Sequence, residues 1–277
     1  MHPRTFFRIL AQIVRRPASL GRVIDVDQER RRAVADRYGL PNGLPTIDLL
    51  DLFPDFQETV SPYSFLDGTA TPADIAVLRA FARSRPHCHY LEIGSWRGES
   101  LANVAQVAEV CVSLSLSPAE MKDRGFTDEF IRIHGFFADA QRYPNVSFIG
   151  HDSRTYDFQR LPHRFDLVFV DGDHSYDGVL SDTRNVFQIL KDERAIIVWH
   201  DYGYSPETVR WEVLAAILDG CPVACRQHLY HISNTMCAAY LPSPPMARDC
   251  SFPSVPTKSF SIAISANRVD PTGLHRV

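Results

Sequence analysis

The sequence predicts an α/β fold, a mostly parallel sheet finished by an antiparallel hairpin, and three observations carry that reading. Apolar runs at 88–93, 110–116, 146–150, 165–170 and 194–199 alternate with helix-length segments, and strands joined by crossovers of that length pair in parallel. Two of these runs, 90–93 and 165–170, stop abruptly at acidic and glycine residues, as buried parallel strands do where their carboxyl ends open into a ligand site. Near the end, the strand-like runs 225–232 and 236–241 are joined only by Ser233, Asn234 and Thr235, which is short enough to demand a hairpin.

In chain order, the first segment is basic. Arg4, Arg8, Arg15, Arg16 and Arg22 precede the first acid, Asp25, and interleave with Phe6, Phe7, Ile9, Leu10, Ile13 and Val14. That pattern is a short basic amphipathic helix, suited either to an anionic membrane surface or to docking on the protein's own core. From Asp25 to Gly68 the chain is polar and then studded with Pro41, Pro45, Pro54 and Pro62, as an irregular lid would be. Thr71-Pro72 reads as an N-cap followed by proline at the first helical position, opening a helix through Arg83. Further helices are expected at 98–108, 127–141, 176–190 and 206–219. The proline-rich stretch 242–256 reads as a linker, and 260–264 as one more strand. The resulting organisation is an N-terminal extension over 1–70, a domain over 71–242 and a tail over 243–277.

Composition narrows the function. The 277 residues are 45% hydrophobic and 22% charged, enough for one substantial core plus an accessory segment. A net charge of −4 gives no basic face for nucleic acid. No apolar run reaches the length of a membrane span. The six cysteines, Cys88, Cys111, Cys221, Cys225, Cys237 and Cys250, form no C-x-x-C pair and read as free thiols of a reducing, cytoplasmic compartment.

The chemistry concentrates in Tyr90-Leu91-Glu92-Ile93-Gly94-Ser95-Trp96-Arg97-Gly98-Glu99-Ser100 and in Val170-Asp171-Gly172-Asp173-His174. Gly94 and Gly98 let the backbone turn tightly from strand to helix, so a nucleotide-like cofactor can approach the main chain. The spacing is E-x-G-x-x-x-G, which differs from the dinucleotide pattern, and the terminal hairpin also argues against a nicotinamide dehydrogenase. Over roughly 71–242 these features resemble class I S-adenosylmethionine-dependent methyltransferases, in a bacterial branch related to macrolide-sugar O-methyltransferases and cephalosporin hydroxylase-like proteins.

The resemblance implies a Rossmann-like fold whose seven strands run in the order 3-2-1-4-5-7-6. It implies that Gly94, Ser95 and Gly98 face the methionine part of S-adenosylmethionine, with Glu92 at the base of the loop. The acid that usually grips the ribose is missing, since the second strand reads Val112-Ser113-Leu114-Ser115-Leu116-Ser117, and Ser115 or Ser117 is left for that contact. Asp152, with Ser153, stands where the family meets the adenine amino group; a turn aspartate bonded to its own backbone is the competing reading. Asp171, His200 and Asp201 match the positions of a divalent metal site, with Asp171 also close to the cofactor, and His174 falls where relatives carry a catalytic base. An imidazole ligand favours Mn²⁺, Fe²⁺ or Zn²⁺ over Mg²⁺; the alternative is a His200–Asp201 hydrogen-bonded pair shaping the pocket.

The implied activity is O-methylation of a small hydroxylated acceptor, a sugar or secondary metabolite, with S-adenosylmethionine as cofactor and a metal such as Mg²⁺ or Mn²⁺ as an open question. An iron-dependent oxygenase on the same sheet and a noncatalytic, membrane-attached cofactor-binding protein stay open. So do peripheral membrane contact through the N-terminus and homo-oligomerisation.

Overall fold

The structure, a computed structural model, describes residues 26–249 and 253–269. The basic segment before Asp25 lies outside the described residues. The chain divides into two compact units, Met1–Pro41 and Asn42–Val277. In the first, α1 (Val26–Tyr38) carries Asp27 and Glu29 in its first turn and Arg37 in its last, complementing the helix dipole. It ends at Gly39, whose positive φ of 69° and N–H to Ala35 O bond (3.0 Å) make an ordinary left-handed cap. This stretch is therefore helical, where its polarity alone suggested an irregular lid.

The second unit is built on one sheet. Its central strands are β2 (His89–Ile93), β3 (Val110–Ser115), β4 (Val146–Gly150), β5 (Leu167–Val170) and β6 (Ile196–Trp199), all parallel. The runs Leu-Val-Phe-Val in β5 and Ile-Ile-Val-Trp in β6 are buried at every position because helices cover both faces. The hairpin strands β9 (Leu229–Ile232) and β10 (Ala238–Tyr240) add antiparallel to β6. The spatial order β4-β3-β2-β5-β6-β10-β9 is the expected 3-2-1-4-5-7-6. The sheet has nine strands, two more than the resemblance implies: β1 (Thr46–Ile47) pairs parallel with β9, and β11 (Ala247–Arg248) pairs antiparallel with β1. Two segments read as lid and linker thus extend the hydrogen-bonded ladder.

Several element boundaries differ from expectation, each for a local reason. The stretch expected to be helical over 127–141 forms only α6 (Asp128–Ile133) before turns that pass through Gly135 at φ 69°. The helix expected over 176–190 is α7 (Tyr176–Val186), and the chain then turns so that Phe165 bridges Leu190. Residues 203–209 form a small hairpin of β7 (Gly203–Ser205) and β8 (Thr208–Val209), delaying α8 to Trp211–Gly220. The first part of the expected strand 225–232 is a 3₁₀ turn over Val223–His228. The run 260–264 is not a strand, and Ile262 and Ile264 are exposed.

The segment after Asn42 is packed onto this domain. The Glu58 carboxylate, nearly buried, meets Arg79 at 2.9 Å and Arg83 at 3.0 Å on α3 (Pro72–Arg83). Ser61 N–H donates to Asn103 Oδ1 (2.8 Å), and Asn103 Nδ2 returns a bond to Pro62 O (2.8 Å). In the tail, Lys258 reaches Asp48 at 2.8 Å and Asn234 Oδ1 at 3.0 Å, fastening it to the β9–β10 turn.

Removing the Glu58 carboxylate leaves the buried Arg79 guanidinium without its counter-charge, a situation that typically costs about 3–5 kcal/mol. Glu58→Ala is therefore expected to lower urea-denaturation stability by about that amount, and a loss below about 1 kcal/mol would show that the pair does not fasten the lid.

Candidate functional site

Strand register assembles the site. Ile93 pairs with Val170, and Val170 with Trp199, so the residues just past these ends, Gly94, Asp171 and His200, emerge side by side. Asp171 N–H donates to Ile93 O (2.8 Å) and His200 N–H to Val170 O (3.0 Å), carrying the ladder one residue beyond the strands. Gly94 has φ 85°, and a Cβ there would lie 2.3 Å from Asp171 O, so only glycine allows the two loops to touch. At Gly98 (φ 78°) an added Cβ would meet Ala138 Cβ at 2.9 Å; this glycine serves packing of the 135–138 segment over the loop.

Glu92 ends β2 fully buried. Its carboxylate accepts from Tyr90 Oη (2.6 Å), Ser95 Oγ (2.8 Å) and Ser100 Oγ (2.9 Å). Burial raises it to about 7 in spite of those three donors. Ser95 continues to Ser113 (2.9 Å) and Ser113 to Ser115 (3.3 Å), so hydroxyls occupy the carboxyl end of β3. Ser117, the other candidate for the ribose, caps α5 (Pro118–Asp123) in a capping box with Glu120.

Asp152 is committed elsewhere than an open acceptor would be. Its oxygens take Arg154 N–H (3.1 Å), the Arg154 guanidinium (3.2 Å) and Arg124, and these lower its pKa although burial opposes them. The bond from Arg154 N–H, two residues on, is a turn contact with Asp152's own backbone segment. Arg154 also approaches Asp173 at 3.8 Å, linking the loop after β4 to the loop after β5. Ser153 bonds to Asp182 on α7, a carboxyl raised to about 7 by burial, whose Oδ1 has no hydrogen-bond partner among the described residues.

The acids and histidines after β5 and β6 converge. Asp171, His200 and Asp201 offer ligand atoms that all lie within 4.8 Å of one another. His200, 8% exposed, places Nδ1 at 3.1 Å from Asp171 Oδ1 and 3.5 Å from Asp201 Oδ2. Burial would depress its imidazole, but the surrounding carboxylates outweigh this and hold it well above its usual range. Asp201 adopts φ 54°, a left-handed conformation that aspartate tolerates, and its carboxylate thereby meets His174 Nδ1 at 2.8 Å. That bond to Asp201 raises His174, against its partial burial. The His174 side chain is 44% exposed.

Three participants escaped the sequence reading. Asp74 of α3 stands 3.4 Å from His200 Nε2; its T-P-A-D context signalled only a helix cap. Tyr63, from the lid, has its hydroxyl raised by burial and by the charges of Glu99 and Asp74. Arg210, just before α8, reaches Asp201 at 3.9 Å.

Residues 91–202 match a family model described as a methyltransferase domain. Over that segment, less than half of the chain, the sequence is similar to a methyltransferase domain. Among curated proteins, an uncharacterised protein of Acanthamoeba polyphaga mimivirus is 27% identical over 128 residues, covering 43% of this chain and 55% of its own length. The chain thus spans about half the length of that relative. Among solved structures, the SAH-bound methyltransferase PaMTH1 of Podospora anserina is 15% identical, covering 87% of this chain and 97% of that one, with a TM-score of 0.45. The O-methyltransferase TomG of Streptomyces achromogenes, involved in tomaymycin synthesis, is 17% identical over 63% of this chain and 82% of its own, with a TM-score of 0.44. No helix among the described residues is long and apolar enough to cross a membrane.

The buried Glu92 at the end of β2 has a measurable signature. Between its ordinary value of 4.5 and about 7 the folded protein retains a proton that the unfolded chain has lost. This contribution is present below pH 4.5 and lost as pH rises through about 7. Glu92→Gln should remove on the order of 3 kcal/mol of that decline. Denaturant stability measured from pH 4.5 to 8 tests it; an unchanged pH slope would mean that Glu92 is ionised throughout.

Proposed function

We propose that this protein is an S-adenosylmethionine-dependent O-methyltransferase that acts on a small hydroxylated acceptor, such as a sugar or secondary metabolite, with a divalent metal at Asp171, His200 and Asp201. One observation carries the reading: the mixed carboxylate and imidazole cluster sits at the carboxyl ends of β5 and β6, directly beside the Gly94 turn. That is the crevice where an open parallel sheet binds ligands.

The cofactor, when bound, supplies an electrophilic methyl group on a sulfonium. Gly94 and Ser95 would flank it on the loop that Glu92 anchors from below, and Gly98 keeps that loop in place. Ser115 offers a hydroxyl in the position of the missing ribose acid, while Ser153 and the Asp152–Arg154 pair border the adenine side. For the metal, two carboxylates and one imidazole nitrogen are a donor set suited to Mn²⁺ or another transition ion at least as well as to Mg²⁺. Such an ion would hold the acceptor oxygen and favour its deprotonation. His174 donates Nδ1–H to Asp201, which leaves Nε2 free to take the hydroxyl proton, the same logic by which an aspartate orients a histidine base. The same donor set also suits Fe²⁺, and oxygen consumption on iron loading would favour an oxygenase instead.

Calorimetry with S-adenosylmethionine and S-adenosylhomocysteine, with and without Mn²⁺, tests the cofactor; absence of binding to either overturns the reading. With a turning-over acceptor, His174→Ala should slow methyl transfer by roughly two to four orders of magnitude while leaving cofactor affinity within about twofold. Chelator should abolish activity and Mn²⁺ restore it at least as well as Mg²⁺; turnover that resists chelation removes the metal from the proposal.

A further inference from the structure

We propose that Asp74 is a positioning residue that fixes the tautomer of His200 and thereby aims Nδ1 at a metal held with Asp171 and Asp201. The proposal rests on the metal site proposed above and adds to it a residue from outside the matched segment 91–202.

The argument is a count of donors and acceptors. Asp74 is fully buried. Its Oδ2 accepts Thr71 N–H (2.8 Å) and Thr71 O–H (2.7 Å), and its Oδ1 accepts Met236 N–H (2.9 Å) and the Cys237 thiol (3.6 Å). Every neighbour donates, so the carboxylate has only acceptor capacity to offer His200 Nε2, 3.4 Å away. Nε2 must then carry the hydrogen. Nδ1 faces the Asp171 and Asp201 carboxylates at 3.1 and 3.5 Å, where an ion held between them would take the place of the Nδ1 hydrogen while Asp74 keeps the other hydrogen on Nε2. A carboxylate behind a histidine whose other nitrogen meets the metal is a recurrent outer-shell arrangement, and losing it typically weakens metal binding 10- to 100-fold.

The hairpin and the helix cap give Asp74 a fixed orientation. An asparagine in its place would turn its NH₂ either toward Met236 N–H or toward Thr71 N–H and His200, meeting a donor in both orientations. In either orientation Asp74→Asn loses the carboxylate charge that holds hydrogen on Nε2, and with its NH₂ toward His200 it offers Nε2 a donor in place of an acceptor.

The test uses the full chain and Mn²⁺, with affinity read by electron paramagnetic resonance. Asp74→Asn is expected to weaken Mn²⁺ binding roughly 10- to 100-fold, and the same change in a His200→Ala background to alter it less than about twofold. An equal loss in both backgrounds would make Asp74 merely structural and overturn the proposal, as would wild-type affinity in Asp74→Asn. Should Asp74→Asn not fold, ¹⁵N NMR of the wild-type chain loaded with Zn²⁺ decides: hydrogen on His200 Nε2 with Nδ1 on the metal is expected, and the reverse overturns it. Wild-type protein that binds neither ion overturns the metal site itself, an outcome distinct from the failure of Asp74 alone.

Discussion

A charge can be kept inside a protein only where partners replace the water it has lost, and this constraint organises the carboxyl edge of the sheet. His200 lies among Asp74, Asp171 and Asp201, which come from three separate parts of the chain: the first turn of α3, the end of β5 and the end of β6. Asp74 in turn needs the backbone of Met236 in the β9–β10 hairpin. Helix, central strands and hairpin are thus bound to one another through a single polar knot beneath the sheet's carboxyl edge. Displacing any of them would leave a buried charge uncompensated, so the geometry of the cluster and the stability of the fold are the same problem.

Polarity is distributed unevenly along that edge. Beside β2 and β3 the groups are hydroxyls, Ser95, Ser113 and Ser115, gathered around the protonatable Glu92. Beside β5 and β6 they are carboxylates and imidazoles, and the loop after β4 is pinned by Arg124 and Arg154. A neutral stretch of the edge, suited to recognition through hydrogen bonds, therefore adjoins a charged stretch suited to proton transfer and metal binding. Gly94 is the junction, because only a residue without Cβ lets the first region press against Asp171.

The extensions around the core follow the same economy of buried polar groups. β1 and β11 occupy what would otherwise be the open edge of β9, and the lid is anchored by a nearly buried carboxylate between two arginines. Lys258 plays the corresponding part for the tail, satisfied by Asp48 and the Ser233-Asn234 turn.

Local pattern was sufficient wherever neighbouring residues decide the outcome. The apolar runs named the strands, the Thr71-Pro72 pair named the start of α3, and the three-residue gap named the hairpin, because these depend on burial period and backbone geometry within a few positions. The grouping of Asp171, His174, His200 and Asp201 was legible too, since adjacent parallel strands deliver their carboxyl ends to one place. Only the tertiary structure could assign Asp74, which meets His200 across 126 residues and looks in sequence like a helix cap. It also decided that Asp152 answers to arginines, that Gly98 serves packing, that β1 and β11 extend the sheet and that 260–264 forms no strand. Those outcomes depend on which distant groups compete for the same hydrogen bonds and edges, and that competition is settled only when the chain is folded.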